Sequence, residues 1–222
     1  MTELTDSKTE TVAALISEFH TKPIRKLLVV GCGSGIEAAI LAQRLNAEVT
    51  GIDIEENFDP AALALCELKK GDAMALEFGD EWFDFVFSYH ALEHIEEPET
   101  ALCEMQRILK PGGGFWIGTP NKERLVGYIG GKNTSVSEKI RWNILDWRMR
   151  LTGKFENKLG AHAGFTRKEL GDMLRSVFTI VDDRTLEYFT TIYSGKRGLI
   201  ETLEKSGLSR PVYPSVYFSG SK

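Results

Sequence analysis

Long hydrophobic runs are missing from this chain: no unbroken apolar stretch approaches the roughly 20 residues that carry a helix across a bilayer. Its opening, MTELTDSKTE, is polar and acidic where a secretory signal would be basic and then apolar. A soluble, cytoplasmic protein is expected. Cysteine is scarce. Cys32, Cys66 and Cys103 are an odd number at wide spacing, which excludes a disulfide framework and offers no close pair to grip zinc. Reduced interior thiols are expected. Surplus positive charge is absent too, since 27 Lys and Arg against 32 Asp and Glu leave a net charge of -5. That argues against a general nucleic-acid binder.

What the chain does have is core. A hydrophobic content of 42% over 222 residues can bury a sizeable interior in one domain spanning residues 1–222. Charge is unevenly placed: residues 121–158 hold nine Lys and Arg against four Asp and Glu, a local +5 that leaves -10 for the rest.

Val12, Leu15, Ile16 and Phe19 fall at i, i+3, i+4 and i+7, the stripe of an amphipathic helix, and Pro23 ends it. KLLVV (26–30) and EVTGIDI (48–54) are short apolar runs, expected of strands buried on both faces of a parallel sheet. Residues 36–45 between them read as a helix. CELKKGDA (66–73), WFDFVFSYH (82–90) and GGFWIGTPN (113–121) are further strands, with room for crossover helices between them, 97–109 being the clearest. FTIVDDRTLEYFT (178–190) and SVYFSGSK (215–222) read as the last two. This alternation predicts a doubly wound, mostly parallel, seven-stranded α/β sheet.

The loop in VVGCGSG carries Gly31, Gly33 and Gly35. Glycines there let the backbone turn tightly and present N–H groups to an anion beside a helix N-terminus. Asp53 follows 20 residues after Gly33, at the end of the next strand, where a carboxylate accepts hydrogen bonds from ribose hydroxyls. Together they describe a nucleoside with an anionic end. The loop by itself leaves other readings open. GSGIEA (33–38) also satisfies the dinucleotide fingerprint G-x-G-x-x-A, as in a nicotinamide-dependent oxidoreductase, and a tight turn without ligand needs the same glycines.

Four motifs stand in order over residues 27–121: VVGCGSG, GIDI, GDAMALEFGDEWFDFVFSYHALEHI and EMQRILKPGGGFWIGTPN. In them the sequence resembles the class I S-adenosylmethionine-dependent methyltransferases, specifically the group that includes the ubiquinone- and menaquinone-biosynthesis methyltransferases. The resemblance implies S-adenosylmethionine as cofactor and S-adenosylhomocysteine as product. It implies that Gly31 to Gly35, Cys32 included, meet the methionine moiety, and that Asp53, with Ile54 beside it, meets the ribose. Asp72, Ala73 and Met74 would meet the adenine, and Ser88, Tyr89 and His90 the neighbourhood of the sulfonium. It also implies an antiparallel terminal strand at one edge of the sheet. Each assignment has a plainer competitor. Asp72 follows Gly71 as a turn residue would, Cys32 is small enough simply to pack in the loop, and LKPGGGF (109–115) reads as a helix stop without chemistry.

HALEH (90–94) literally matches H-x-x-E-H, a metalloprotease motif that works only when both histidines project from one long helix. Here it follows directly on a strand and meets Pro98 soon after, which opposes that reading. The ubiquinone-pathway and small-RNA methyltransferases place Glu-x-x-Glu-His here, with a later histidine completing a divalent-metal site. His90, Glu93, His94 and His162 are the corresponding residues, but a histidine replaces the first carboxylate and makes the set softer. The competing reading is a polar substrate mouth without metal. Methyl transfer asks mainly for an acceptor held in line with an already activated methyl, and for a base if the acceptor is a hydroxyl. His94, His90 and His162 are the base candidates. Tyr89 is placed to face a sulfonium through its ring.

Residues 121–160 read as a helical lid inserted after the fifth strand. Ile140, Ile144, Trp147 and Leu151 form one stripe, decorated by Lys139, Arg141, Arg148, Arg150 and Lys154. Such a helix suits an anionic or lipid-tailed acceptor, or contact with an anionic membrane surface. Equally, its stripe packs on the domain while its charges are solvated. The expected protein is a methyltransferase acting on a small-molecule or lipid-like acceptor, at oxygen. A non-catalytic S-adenosylmethionine-binding module remains an alternative, against which the polar histidines speak.

Overall fold

In the computed structural model, which describes residues 4–128, 134–156 and 163–222, helix α1 (Ser7–Phe19) starts where Asp6 accepts the Thr9 N–H at 3.1 Å and buries the Val12, Leu15 and Ile16 stripe. The chain continues through β1 (Lys26–Val30), α2 (Ile36–Leu45), β2 (Glu48–Asp53), α3 (Pro60–Leu63), β3 (Glu67–Lys70) and β4 (Phe83–Tyr89). A 3-10 turn at Leu92–His94 leads into α4 (Pro98–Ile108) and β5 (Leu109–Pro120). Then come α5 (Val136–Leu151), α6 (Arg167–Val177), β6 (Ile180–Asp183), α7 (Thr185–Ile192), α8 (Arg197–Lys205), α9 (Ser209–Val212) and β7 (Ser215–Ser221).

The strands form one seven-stranded sheet in the order β3-β2-β1-β4-β5-β7-β6. β1 runs parallel to both β2 and β4, while β7 runs antiparallel to both β5 and β6. The final strand thus reverses against its neighbours next to the edge, where an oxidoreductase would have required a further parallel strand. After β3 the chain returns to the other side of β1. That reversal opens a crevice beyond the carboxyl ends of β1 and β4, the place where sheets of this kind bind ligands.

Successive side chains of one strand enter opposite cores because a strand alternates faces. Leu28 and Val30 pack with Leu102, Met105 and Leu170, whereas Leu27 and Val29 pack with Ile16, Leu41 and Tyr188. One expectation fails here. Residues 178–190 are not a single strand: β6 ends at Asp183, and the rest is α7. Asp183 Oδ1 accepts the Thr185 N–H at 2.9 Å, and the buried Thr185, Tyr188 and Phe189 fall at i, i+3 and i+4, a helical spacing inside an aromatic run that reads as β.

Candidate active site

At the end of β1 the N–H groups of Gly31 and Cys32 both donate to Ile52 O at 2.9 Å, which pins the glycine loop to β2. Gly31, Gly33 and Gly35 have φ of +73°, +51° and +83°, the left-handed region that favours glycine. A Cβ on Gly31 would lie 2.2 Å from Ala91 Cβ and one on Gly35 2.2 Å from Leu68 Cδ1, but one on Gly33 would meet nothing within 4 Å. The outer glycines therefore serve packing, and the middle one faces open space.

Asp53 stands over that opening. Its Oδ2 accepts the Gly33 N–H at 2.7 Å and its Oδ1 the Glu55 N–H at 3.1 Å. An ionised carboxylate has about four acceptor positions, so capacity for two hydroxyls remains. Gly71 N–H donates to Asp53 O at 2.9 Å, bringing the next turn alongside. There Asp72 Oδ1 accepts the Met74 N–H at 2.8 Å, the turn role that competes with adenine binding, and it holds Ala73 between them. Ile54 is 69% exposed beside Asp53. Ser88 is buried, and its Oγ has no hydrogen-bond partner. Cys32 is buried, and burial, and after it the Asp53 charge, push its thiol up to about 12. Hydrogen bonds thus bring the glycine loop, Asp53 and the Gly71–Asp72 turn side by side.

Tyr89 and His90 also line a cavity of about 930 Å³ under α5, walled by α7, α8 and the region around α9. It is strongly aromatic, with Trp142, Phe155, Tyr188 and Phe189 among its walls. His90 has φ +53°. Its N–H donates to Gly118 O at 2.8 Å, its Nε2 lies 3.3 Å from Ser215 Oγ, and its ring meets Tyr89 edge-on at 4.2 Å. Burial raises the Tyr89 phenol well above its ordinary value, and its hydroxyl sits 3.4 Å from that of Tyr217.

Behind His90, the Glu93 side chain is fully buried and neither carboxylate oxygen has a hydrogen-bond partner. Oε1 is 3.5 Å from His90 Nδ1 and 3.9 Å from His94 Nε2. Of the base candidates His90 and His94, His90 lines the cavity and His94 is not among the described residues that do. A left-handed His90 followed by a three-residue turn also keeps the two histidines off a common helix. His162 lies outside the described residues. Among the described residues no group of three or more His, Cys, Asp or Glu is placed to hold a metal.

Helix α5 and the segment before it hold a buried ion pair that the sequence did not reveal. Arg124 Nη2 lies 3.3 Å from Asp146 Oδ2, with side chains 4% and 12% exposed, and Tyr128 donates to Asp146 Oδ1 at 3.2 Å. Arg150, expected on the recognition face, turns inward: Nη1 donates to Lys122 O at 2.5 Å and the guanidinium lies 3.8 Å over the Phe155 ring.

The fold is a doubly wound, mostly parallel α/β sheet with an antiparallel strand next to one edge. Residues 28–117 match the family described as a methyltransferase domain. Among curated relatives, the ubiquinone biosynthesis O-methyltransferase of Pseudomonas aeruginosa is 37% identical over 108 residues, 44% of this chain and 45% of that protein. The 24-methylenesterol C-methyltransferase 2 of Arabidopsis thaliana is 34% identical over 113 residues, 45% of this chain and 31% of that protein. The chain spans less than half the length of these relatives. Among solved structures, Haemonchus contortus phosphoethanolamine N-methyltransferase 2 in complex with S-adenosyl-L-methionine has a TM-score of 0.60 at 20% identity, covering 96% of this chain and 52% of that one. The [4+2]-cyclase SpnF has 0.58 at 19%, covering 96% and 80%. Such similarity shows the fold, which hosts more than one chemistry.

Proposed function

We propose that this protein is an S-adenosylmethionine-dependent methyltransferase that methylates an oxygen of a bulky, lipid-like acceptor. The observation that carries it is the shared wall: Tyr89 ends β4 beside the crevice, His90 follows it, and both line the large aromatic cavity. Gly33 and Asp53 would hold the nucleoside, and Ile54 and Ala73 would flank its base. The bound cofactor supplies a methyl already activated on a sulfonium. Tyr89 offers its ring to that cation, and the aromatic walls orient the acceptor and exclude water. His90 Nε2 takes the hydroxyl proton, and the buried Glu93 carboxylate near Nδ1 stabilises the imidazolium that results.

Calorimetry with S-adenosylmethionine, S-adenosylhomocysteine and a nicotinamide dinucleotide tests the cofactor. Asp53→Ala should weaken binding of the first two by about 1.5–3 kcal/mol, as for hydrogen bonds to a charged group. Unchanged affinity in the folded variant, or preference for the dinucleotide, refutes the reading. Once turnover of an acceptor is measured, His90→Ala should lower kcat about 10²–10⁴-fold, and chelator should do nothing. Loss with chelator and recovery with a divalent ion would put a metal among His90, Glu93, His94 and His162 in place of the base.

A further inference from the structure

Helix α5 is apolar on two opposite sides. Trp142, Leu145 and Met149 face the cavity. At about 100° per residue, Val136, Ile140, Ile144, Trp147 and Leu151 share an arc of about 80° on the other side. They are 73%, 55%, 64%, 51% and 89% exposed, so the expectation that this stripe packs on the domain fails. Trp147 Nε1 donates to Leu125 O at 2.7 Å, which joins the stripe to the exposed Leu125 and Val126.

Cations border this surface. Arg141 and Arg148 are exposed on its flank and Lys154 just beyond its end, and among the described residues no carboxylate forms an ion pair with any of them. Of the two acids of α5, Asp146 turns inward to Arg124, while Glu138 holds the capping box with Ser135 one turn from Arg141, so that Arg148 and Lys154 carry the unopposed part of the flank's charge.

We propose that the outer face of α5, with Leu125 and Val126, docks on an anionic phospholipid surface. A membrane interface takes both features at once: the stripe enters the acyl boundary, and the arginines meet lipid phosphates. A two-fold contact with a second copy would instead set like-charged arginine flanks against each other, which is unfavourable. The docking stands on the helix alone. That it brings a lipid-like acceptor toward the cavity beneath rests on the proposed function.

The test is co-sedimentation of the full chain with phosphatidylcholine vesicles, with and without phosphatidylglycerol. Binding should be about tenfold stronger with the anionic lipid, and Ile140→Ser/Ile144→Ser and Arg141→Glu/Arg148→Glu should each weaken it about tenfold. Circular dichroism and affinity for S-adenosylhomocysteine should be unchanged, which separates failure of docking from failure of the cofactor reading. No binding to phosphatidylglycerol vesicles, or equal binding by both double variants, overturns the proposal. So does a dimer in light scattering that Ile140→Ser/Ile144→Ser converts to monomer, because a second copy then covers this face.

Discussion

Alanine at Gly31 and alanine at Gly33 should damage the protein in different ways. Both positions have left-handed backbone, φ +73° and +51°, so each substitution costs about 1–2 kcal/mol of stability from the conformation alone. At Gly31 the new methyl lies 2.2 Å from Ala91 Cβ, well inside van der Waals contact, and overpacking of that sort adds about 1–3 kcal/mol. Gly31→Ala should therefore lose roughly 2–5 kcal/mol in urea unfolding. Combining it with Ala91→Gly removes the overlap but not the backbone strain, so the double variant should recover about 1–3 kcal/mol. At Gly33 the methyl meets nothing within 4 Å, so only the conformational cost applies. It does occupy the opening beneath Asp53, and affinity for S-adenosylhomocysteine should fall at least about tenfold, 1.4 kcal/mol. Wild-type affinity in Gly33→Ala would refute the placement of the cofactor. A double variant no more stable than Gly31→Ala would refute the steric account.

Glu37, in the first turn of α2, is pushed from an ordinary 4.5 up to about 7 by burial and then by the Asp6 carboxylate, with Lys8 opposing. The folded carboxyl keeps its proton to a higher pH than the unfolded one, so stability should fall as pH rises from about 4.5 to about 7. Glu37→Gln should gain about 1–3 kcal/mol over wild type at pH 8 relative to pH 4, and parallel pH profiles in urea titrations would refute this. Asp146→Ala removes the carboxylate that pairs with the buried Arg124 and accepts from Tyr128 and should cost about 3–5 kcal/mol. A thermal midpoint unchanged in calorimetry would show the pair to be dispensable.

The glycine loop, Asp53, and the alternation of strands and helices were legible in the sequence because each is a local property. A left-handed turn calls for glycine at that position, and a buried strand or a helix writes its period directly into neighbouring residues. The error at 178–190 has the same origin, since an aromatic, β-branched segment signals strand until contacts with β7 and α1 decide that Thr185–Ile192 winds as a helix. Other features depend on residues far apart in the chain. Spacing alone could not say which of His90 and His94 meets the cavity; the left-handed backbone at His90 and the arrival of Ser215 on β7 decide it. Nor could spacing pair Arg124 with Asp146, turn Arg150 inward, or leave the Ile140–Leu151 stripe uncovered. Periodicity shows that a helix has an apolar face, but what covers that face, if anything, is fixed only when distant segments pack.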